Sequence, residues 1–173
     1  MIPKIKKILY ATDLSPNSAY AFRYAIDAAK KHDASIVFLH VLEPMPGSAY
    51  AVWMNIYFDE DQQKEILEKT IVDTMDRIRK RLKIFCEREL KDDPKCVDRV
   101  ASIEVCQGFP AEEILRKAEE LNCDAIVMGN HGKGIIGHTF LGSTAKRVLR
   151  RVRKPVLIIP LPKGETDITF HDA

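Results

Sequence analysis

The sequence predicts an α/β fold: an open, doubly wound, five-stranded parallel sheet with helices on both faces. Three observations carry this. Short apolar runs of strand length alternate with segments of helical periodicity, in the order β-α-β-α-β-α-β-α-β. Strands that alternate with helices imply parallel pairing through right-handed crossovers. Two of the runs, Ser35–Val41 and Ala125–Met128, are almost wholly apolar, as strands covered on both faces are. The second of them runs into a glycine-rich loop that leads to another helix. A length of 173 residues, without internal repeat or low-complexity tract, suits a single domain with a sizeable core.

The elements follow in order. Ile5 to Tyr10 reads as the first strand, ended by Ala11, Thr12 and Asp13. Ser15-Pro16 is a helix-start signal, with serine as cap and proline at the first helical position. Ala19, Phe22, Ala25, Ile26 and Ala29 then recur at helical spacing, and this helix is expected to reach Lys31. Ser35–Val41 is the second strand. Glu43–Asp59 is the least regular segment. Pro44, Pro46 and Gly47 mark a loop, and Tyr50, Trp53, Ile56, Tyr57 and Phe58 follow. A lid, a partner surface and a cover over the sheet edge are all open readings of these aromatics.

A long charged helix is expected from Glu60 to Lys91. Leu67, Ile71, Met75, Ile78, Leu82 and Phe85 give it one apolar stripe, which reads as core-facing rather than as a coiled coil. Asp92-Asp93-Pro94 ends it. Arg99–Gln107 alternates well enough for a third strand. Gly108-Phe109-Pro110 is a turn, and Pro110 opens a helix through Leu121. After the strand at Ala125–Met128 come its loop and a helix from Ser143 to Arg151. Pro155–Pro160, PVLIIP, is a last short strand, expected at a sheet edge. The tail beyond Pro162 is polar and expected to be loose.

The stretch from Asp124 to Val148 carries the chemistry. Gly129, Gly132, Gly134 and Gly137 are followed by Gly142, directly before Ser143-Thr144. Glycine admits positive φ and close approach of a ligand to the main chain, and Ser143 or Thr144 is placed to cap the next helix. A strand end, a glycine-rich loop and a helix N-terminus together present N–H groups and the positive end of a dipole, which is a phosphate site. The spacing is Gly-x2-Gly-x9-Gly-Ser. A plain surface loop needs neither the strand before it nor the helix after it.

Composition narrows the remaining classes. Hydrophobic residues make up 46% and charged residues 30%, and the net charge is +2, so no polyanionic partner is demanded. Lys146–Lys154 holds six basic residues in nine. With so small a net charge they read as cations gathered at a helix C-terminus rather than as a nucleic-acid patch. No apolar run is long enough to span a bilayer, and the N-terminus does not read as a signal peptide. The expectation is a cytoplasmic protein without membrane or nucleic-acid partners. Cys106 and Cys123 fall in or near apolar runs and read as core. Cys86 and Cys96 flank a charged turn and read as exposed; reduced thiols are a simpler reading than a disulfide between them. His131 and His138, with Asp13 and His40, lack ligand spacing, so any Mg²⁺ or Mn²⁺ would be held by phosphates. Lys133 reads equally as a phosphate contact or a solvated loop residue.

Several of these stretches, in this order, resemble the universal stress protein family in its ATP-binding branch. They are KKILYATDLSPNSAYAFRYA at the start, VFLHVLEP, QGFPAEEILRKAEELNCDAIVMGNHG, the glycine spacing, and KPVLIIP at the end. The resemblance covers nearly the whole chain. It implies a Rossmann-like sheet of order 3-2-1-4-5, with an adenine nucleotide across the C-terminal ends of the central strands. By position, Asp13 would accept hydrogen bonds from the ribose, the main chain of Val41 would meet adenine, and Gly129 would lie against the ribose. The loop of Asn130, His131, Gly132, Lys133, Gly134 and Ile135 would hold the phosphates with Ser143 and Thr144. Ala11, Thr12, Met128, Gly142 and Ala145 complete the implied set. Ala11 stands where the branch often has proline, and Asn130 where serine is common.

The resemblance also implies a homodimer through Pro155–Pro160 and a stress-response or regulatory role, with any further protein partner unidentified. Related ATP pyrophosphatases carry Ser-Gly-Gly-x-Asp-Ser after the first strand, whereas Ala11-Thr12-Asp13-Leu14-Ser15-Pro16 has no glycine. No carboxylate is evidently placed as a general base, so ATP binding with little or no hydrolysis is expected. A slow ATPase of the same fold and a nucleotide-free interaction module remain alternatives; the intact glycine spacing argues against the second.

Overall fold

Five parallel strands form one sheet in the order β3-β2-β1-β4-β5, the order expected above. They are β1 (Lys7–Thr12), β2 (Ser35–Leu42), β3 (Val100–Gln107), β4 (Ala125–Gly129) and β5 (Val156–Ile159), and they alternate with α1 (Pro16–His32), α2 (Glu60–Glu89), α3 (Pro110–Glu120) and α4 (Ser143–Arg151). A 3-10 turn, Pro94–Arg99, leads into β3. The computed structural model describes residues 2–44, 56, 59–131 and 141–160. Most of the aromatic segment, the loop residues Gly132, Lys133, Gly134, Ile135, Gly137 and His138, and the tail beyond Pro162 lie outside the described residues.

Strand alternation divides the core into two layers. On one side Ile8, Tyr10, Ile36 and Phe38 pack against Phe22, Ala25 and Ala29 of α1 and Ile78, Leu82 and Phe85 of α2. On the other, Leu9, Ala11, Val37, Leu39, Ile126 and Met128 pack against Ala111, Ile114 and Ala118 of α3 and Ala145 and Val148 of α4. The first layer is knit by aromatic contacts, with Tyr10–Phe38 centroids at 4.7 Å and Phe22–Phe85 at 5.4 Å. Ser15 caps α1 by accepting from the Ser18 N–H. Asp59 and Gln62 close a reciprocal capping box at the start of α2.

Three expectations need correction. β1 begins at Lys7 rather than Ile5 and continues to Thr12. Asp124 Oδ2 accepts from the main-chain N–H groups of Lys6 and Lys7, at 2.7 and 2.9 Å, and anchors the chain where the ladder starts. At the other end Ala11 pairs with Met128 and Thr12 with His40, which draws both into the strand. The stripe on α2 is core only over its second half. Ile78, Leu82 and Phe85 are buried, whereas Leu67 is 52% exposed. A 30-residue helix is about 45 Å long and an eight-residue strand about 26 Å, so the first turns of α2 overrun the sheet. Cys86 and Cys96 are buried, not exposed, and all four cysteines are free. Burial pushes the Cys86 thiol up to about 12. Burial, with the Glu113 carboxylate nearby, pushes Cys106 to about 11. Neither is poised as a thiolate.

Two measurements test this packing. Leu82→Ala should cost about 2–5 kcal/mol by urea denaturation, and Leu67→Ala on the same helix less than about 0.5 kcal/mol. For the Asp124 anchor, hydrogen bonds from the N–H groups of Lys6 and Lys7 hold the carboxyl below its ordinary range. Its folded value lies below its unfolded one, so the anchor contributes fully at neutral pH and is lost as pH falls through the carboxylate range. Asp124→Ala should therefore cost about 1 kcal/mol at pH 7, after discounting for solvent. The gap from the wild type should close in acid.

Candidate functional site

β1 and β4 are neighbours, yet the chain leaves β1 for α1 on one face and β4 for α4 on the other. Diverging connections open a crevice at the C-terminal ends of the strands. A cavity of about 670 Å³ lies there, within the range of small-molecule sites. Of the residues expected at the site, Ala11, Thr12, Asp13, Val41, Met128, Gly129, Asn130, His131, Gly142, Ser143, Thr144 and Ala145 all line it. Gly132, Lys133, Gly134 and Ile135 lie outside the described residues. Leu39, Ile114 and Met128, from the α3–α4 layer, give the cavity an apolar wall.

Asp13 follows β1 directly. Its Oδ1 accepts from the Ser15 N–H at 3.0 Å and from the Ser15 hydroxyl at 2.5 Å. The turn between them places Leu14 at φ +64°, a left-handed conformation that costs a non-glycine residue about 1–2 kcal/mol. The Leu14 N–H donates to Thr12 Oγ1 at 3.1 Å. His40 Nδ1 lies 2.8 Å from the Thr12 carbonyl. A carbonyl only accepts, so this nitrogen carries the proton. Among the described residues no cluster of histidine, cysteine and carboxylate side chains is suited to a metal ion.

Val41, near the end of β2, lines the cavity. The Leu42 carbonyl accepts from the Gly108 N–H at 2.9 Å, on the β3 side. Consecutive residues of a strand aim their main-chain groups at opposite neighbours, so those of Val41 face the other way. There the ladder ends at the pair Thr12–His40, which engages the Val41 N–H and leaves the Val41 carbonyl beyond the last β1 partner.

The two ends of the glycine-rich loop are pinned together. Asn130 donates its N–H to the Ile159 carbonyl at 2.9 Å, and its own carbonyl accepts from the Gly142 N–H at 2.7 Å. Asn17 Nδ2, from α1, donates to Asn130 Oδ1 at 2.9 Å and to the His131 carbonyl at 2.7 Å. The amide oxygen of Asn130 is therefore turned to α1.

The start of α4 departs from expectation. The cap position is Gly142, at φ −67°, and no side chain caps it; Ser143 and Thr144 are the first helical residues instead. Gly142 thus has an ordinary φ, and among the described glycines only Gly108 is positive, at +153°. The first helical bond runs from the Lys146 N–H to the Gly142 carbonyl. The N–H groups of Ser143, Thr144 and Ala145 consequently have no helical acceptor, and all three residues line the cavity. Lys146, grouped by sequence with the C-terminal cations, lines it too. Helical side chains lean toward the N-terminus, which directs the Lys146 stem at the uncapped turn. Arg150 and Arg151 do sit in the last turn, and Arg151 pairs with Glu112 at 3.0 Å.

Sequence reasoning missed Leu39, His40, Leu42, Glu43, Pro110, Ile114, Leu141 and Lys146 among the lining residues, and it missed Asn17. Pro110 and Ile114 arrive by packing of α3, for which no local signal exists. Asn17 left one trace: a polar residue beside Pro16, in the first turn of a helix whose other buried residues are mostly apolar.

Known proteins share this fold. A profile of the universal stress protein family matches residues 4–160. Universal stress protein MJ0531 of Methanocaldococcus jannaschii is 31% identical over 163 residues, spanning 92% of this chain and 85% of its own. Among solved structures, universal stress protein UspA of Lactobacillus plantarum aligns with a TM-score of 0.65 at 21% identity, over 91% of this chain and 99% of its own. A universal stress protein in complex with cAMP aligns at 0.53 and 22%, over 91% and 98%. Among the described residues no helix is long and apolar enough to cross a membrane. The profile match from the first strand to the last makes the chain a member of the universal stress protein family.

Proposed function

We propose that the chain binds ATP at this cavity and acts as a cytoplasmic stress-response or regulatory protein with little or no hydrolysis. The observation that carries this is the uncapped start of α4. Three main-chain N–H groups without helical acceptors, the positive end of a helix dipole and the Lys146 ammonium meet one cavity, and that donor set fits phosphate. The other end of the cavity suits a nucleoside. Asp13, oriented by Ser15, accepts from ribose hydroxyls, and the Val41 main chain meets the adenine edge between apolar walls. The neighbour solved with cAMP supports a nucleotide of this class.

Asn130, His131 and the loop through Gly132, Lys133, Gly134 and Ile135 enclose the phosphates, which hold any Mg²⁺ or Mn²⁺ themselves. The stretch from Gly129 to Lys146 contains no aspartate or glutamate. It therefore offers no carboxylate base for water at the terminal phosphate. β5 ends the sheet, and Leu157 on it is 44% exposed. An apolar sheet edge invites pairing with a second copy, and a homodimer through β5 follows.

Calorimetry with ATP tests the site. Lys146→Gln should weaken ATP binding about tenfold, the loss of one charge-assisted hydrogen bond of about 1.5 kcal/mol, and AMP binding far less. Phosphate release by the same sample should stay well below about 1 per second. A wild type that ignores ATP sinks the assignment, and brisk release sinks the non-enzymatic reading. Light scattering at micromolar concentration should give the mass of a dimer; a monomer removes the β5 pairing.

A further inference from the structure

We infer that Asn17 is a positioning residue for the phosphate loop, and that Gly129 is glycine to admit the Asn17 side chain rather than to admit a ligand. The functional half of this rests on the nucleotide reading above; the structural half rests on geometry alone.

Strand alternation gives the direction. In β4, Ile126 and Met128 pack in the α3–α4 layer and Val127 in the α1–α2 layer. Gly129, next in register, has its side-chain position on the α1 side. The wall of Leu39, Ile114 and Met128 belongs to the opposite face. A Cβ on Gly129 would thus point away from that wall. It would meet Asn17 instead, at 2.9 Å from Nδ2 and 3.1 Å from Cγ. Contacts that short force one side to move, and Asn17 has little room, being 2% exposed.

Asn17 has a reason to be there. The His131 carbonyl only accepts, so the amide nitrogen must face the loop. Its two donated bonds fix Asn130 and His131 at the loop entry, and the Asn130 carbonyl holds the loop exit through the Gly142 N–H. One side chain in the first turn of α1 thereby reaches both ends of the loop. The arrangement leaves Asn17 Oδ1 buried with no partner among the described residues. A group kept under that penalty has its value in its other bonds.

The test is a cycle of Gly129→Ala, Asn17→Ala and the double variant, first without nucleotide. Gly129→Ala should lower the urea midpoint markedly in the wild type and much less in the Asn17→Ala background. If Gly129→Ala alone does not fold but the double variant does, the rescue makes the same point. An equal shift in both backgrounds overturns the steric claim. Asn17→Asp keeps the shape and loses the N–H donors. It should speed hydrogen exchange at the Gly142 amide while leaving Leu9 and Val37 in the central strands unchanged. Unchanged exchange at Gly142 overturns the positioning claim.

In ATP titrations of any wild type that binds, Asn17→Asp should weaken affinity about tenfold or more. Adding Gly129→Ala to Asn17→Ala should cost little further. A large further loss would show that the ligand, not Asn17, excludes the Cβ. A wild type that does not bind ATP fails the nucleotide reading but leaves the stability cycle and the exchange result to decide the latch.

Discussion

The pairing of β1 with β4 is the constraint on which the rest depends. Both strands are almost entirely buried, so their main-chain groups must find partners in the ladder. Along the strands they do. At the C-terminal ends the ladder runs out, and the chain leaves β1 and β4 toward opposite faces. The groups beyond the ladder then gather around one opening: the Val41 carbonyl, the first N–H groups of α4, and the turn that carries Asp13. The site lies where the sheet ceases to satisfy itself.

Several local departures from stable design lie at the same place. α1 is capped by Ser15 and α2 by a complete capping box, while α4, whose start lines the cavity, has no side-chain cap. Leu14 holds a left-handed conformation next to Asp13. Asn17 buries an oxygen behind Asn130 that has no partner among the described residues. Each costs on the order of 1 kcal/mol or more. Asp33 and Asn122 share the left-handed conformation and α3 also lacks a side-chain cap, so it is the coincidence of all three costs beside the cavity that marks positions kept for a reason other than stability.

The topology was legible because its signals are local and repeated. Apolar runs gave the strands, Ser15-Pro16 and Pro110 gave helix starts, and the glycine spacing gave the loop and its helix. The rest depended on distances between segments. Periodicity shows that Leu67 and Leu82 share a stripe on α2, but not that the sheet is too short to cover Leu67. The run KRVLRRVRK shows six cations, but not that the first lies at the mouth of a cavity while Arg151 and Lys154 pair with Glu112 and Glu119 on α3. A charged turn does not reveal that Cys86 and Cys96 fold inward, because they join a core layer assembled from distant segments, α1, α2 and the sheet. Gly129 was legible as a required glycine, but the neighbour requiring it lies more than a hundred residues away in sequence.

The charges of α4 point to what the opening is for. A helix dipole favours anions at its start and cations at its end, by about 0.3–1 kcal/mol each. Arg150 and Arg151 at the end obey this. The first turn has no acidic residue, and Lys146, directly after it, lines the cavity. In the free protein that cation belongs to the N-terminal half of its own helix, and it lines the same cavity as three N–H groups without helical acceptors. Every one of these terms is unfavourable alone and changes sign when an anion enters. A carboxylate at the start of α4 would have made the empty fold more stable and closed the site to phosphate. The sequence has taken the opposite course, and it has done so at the helix end that lines the cavity.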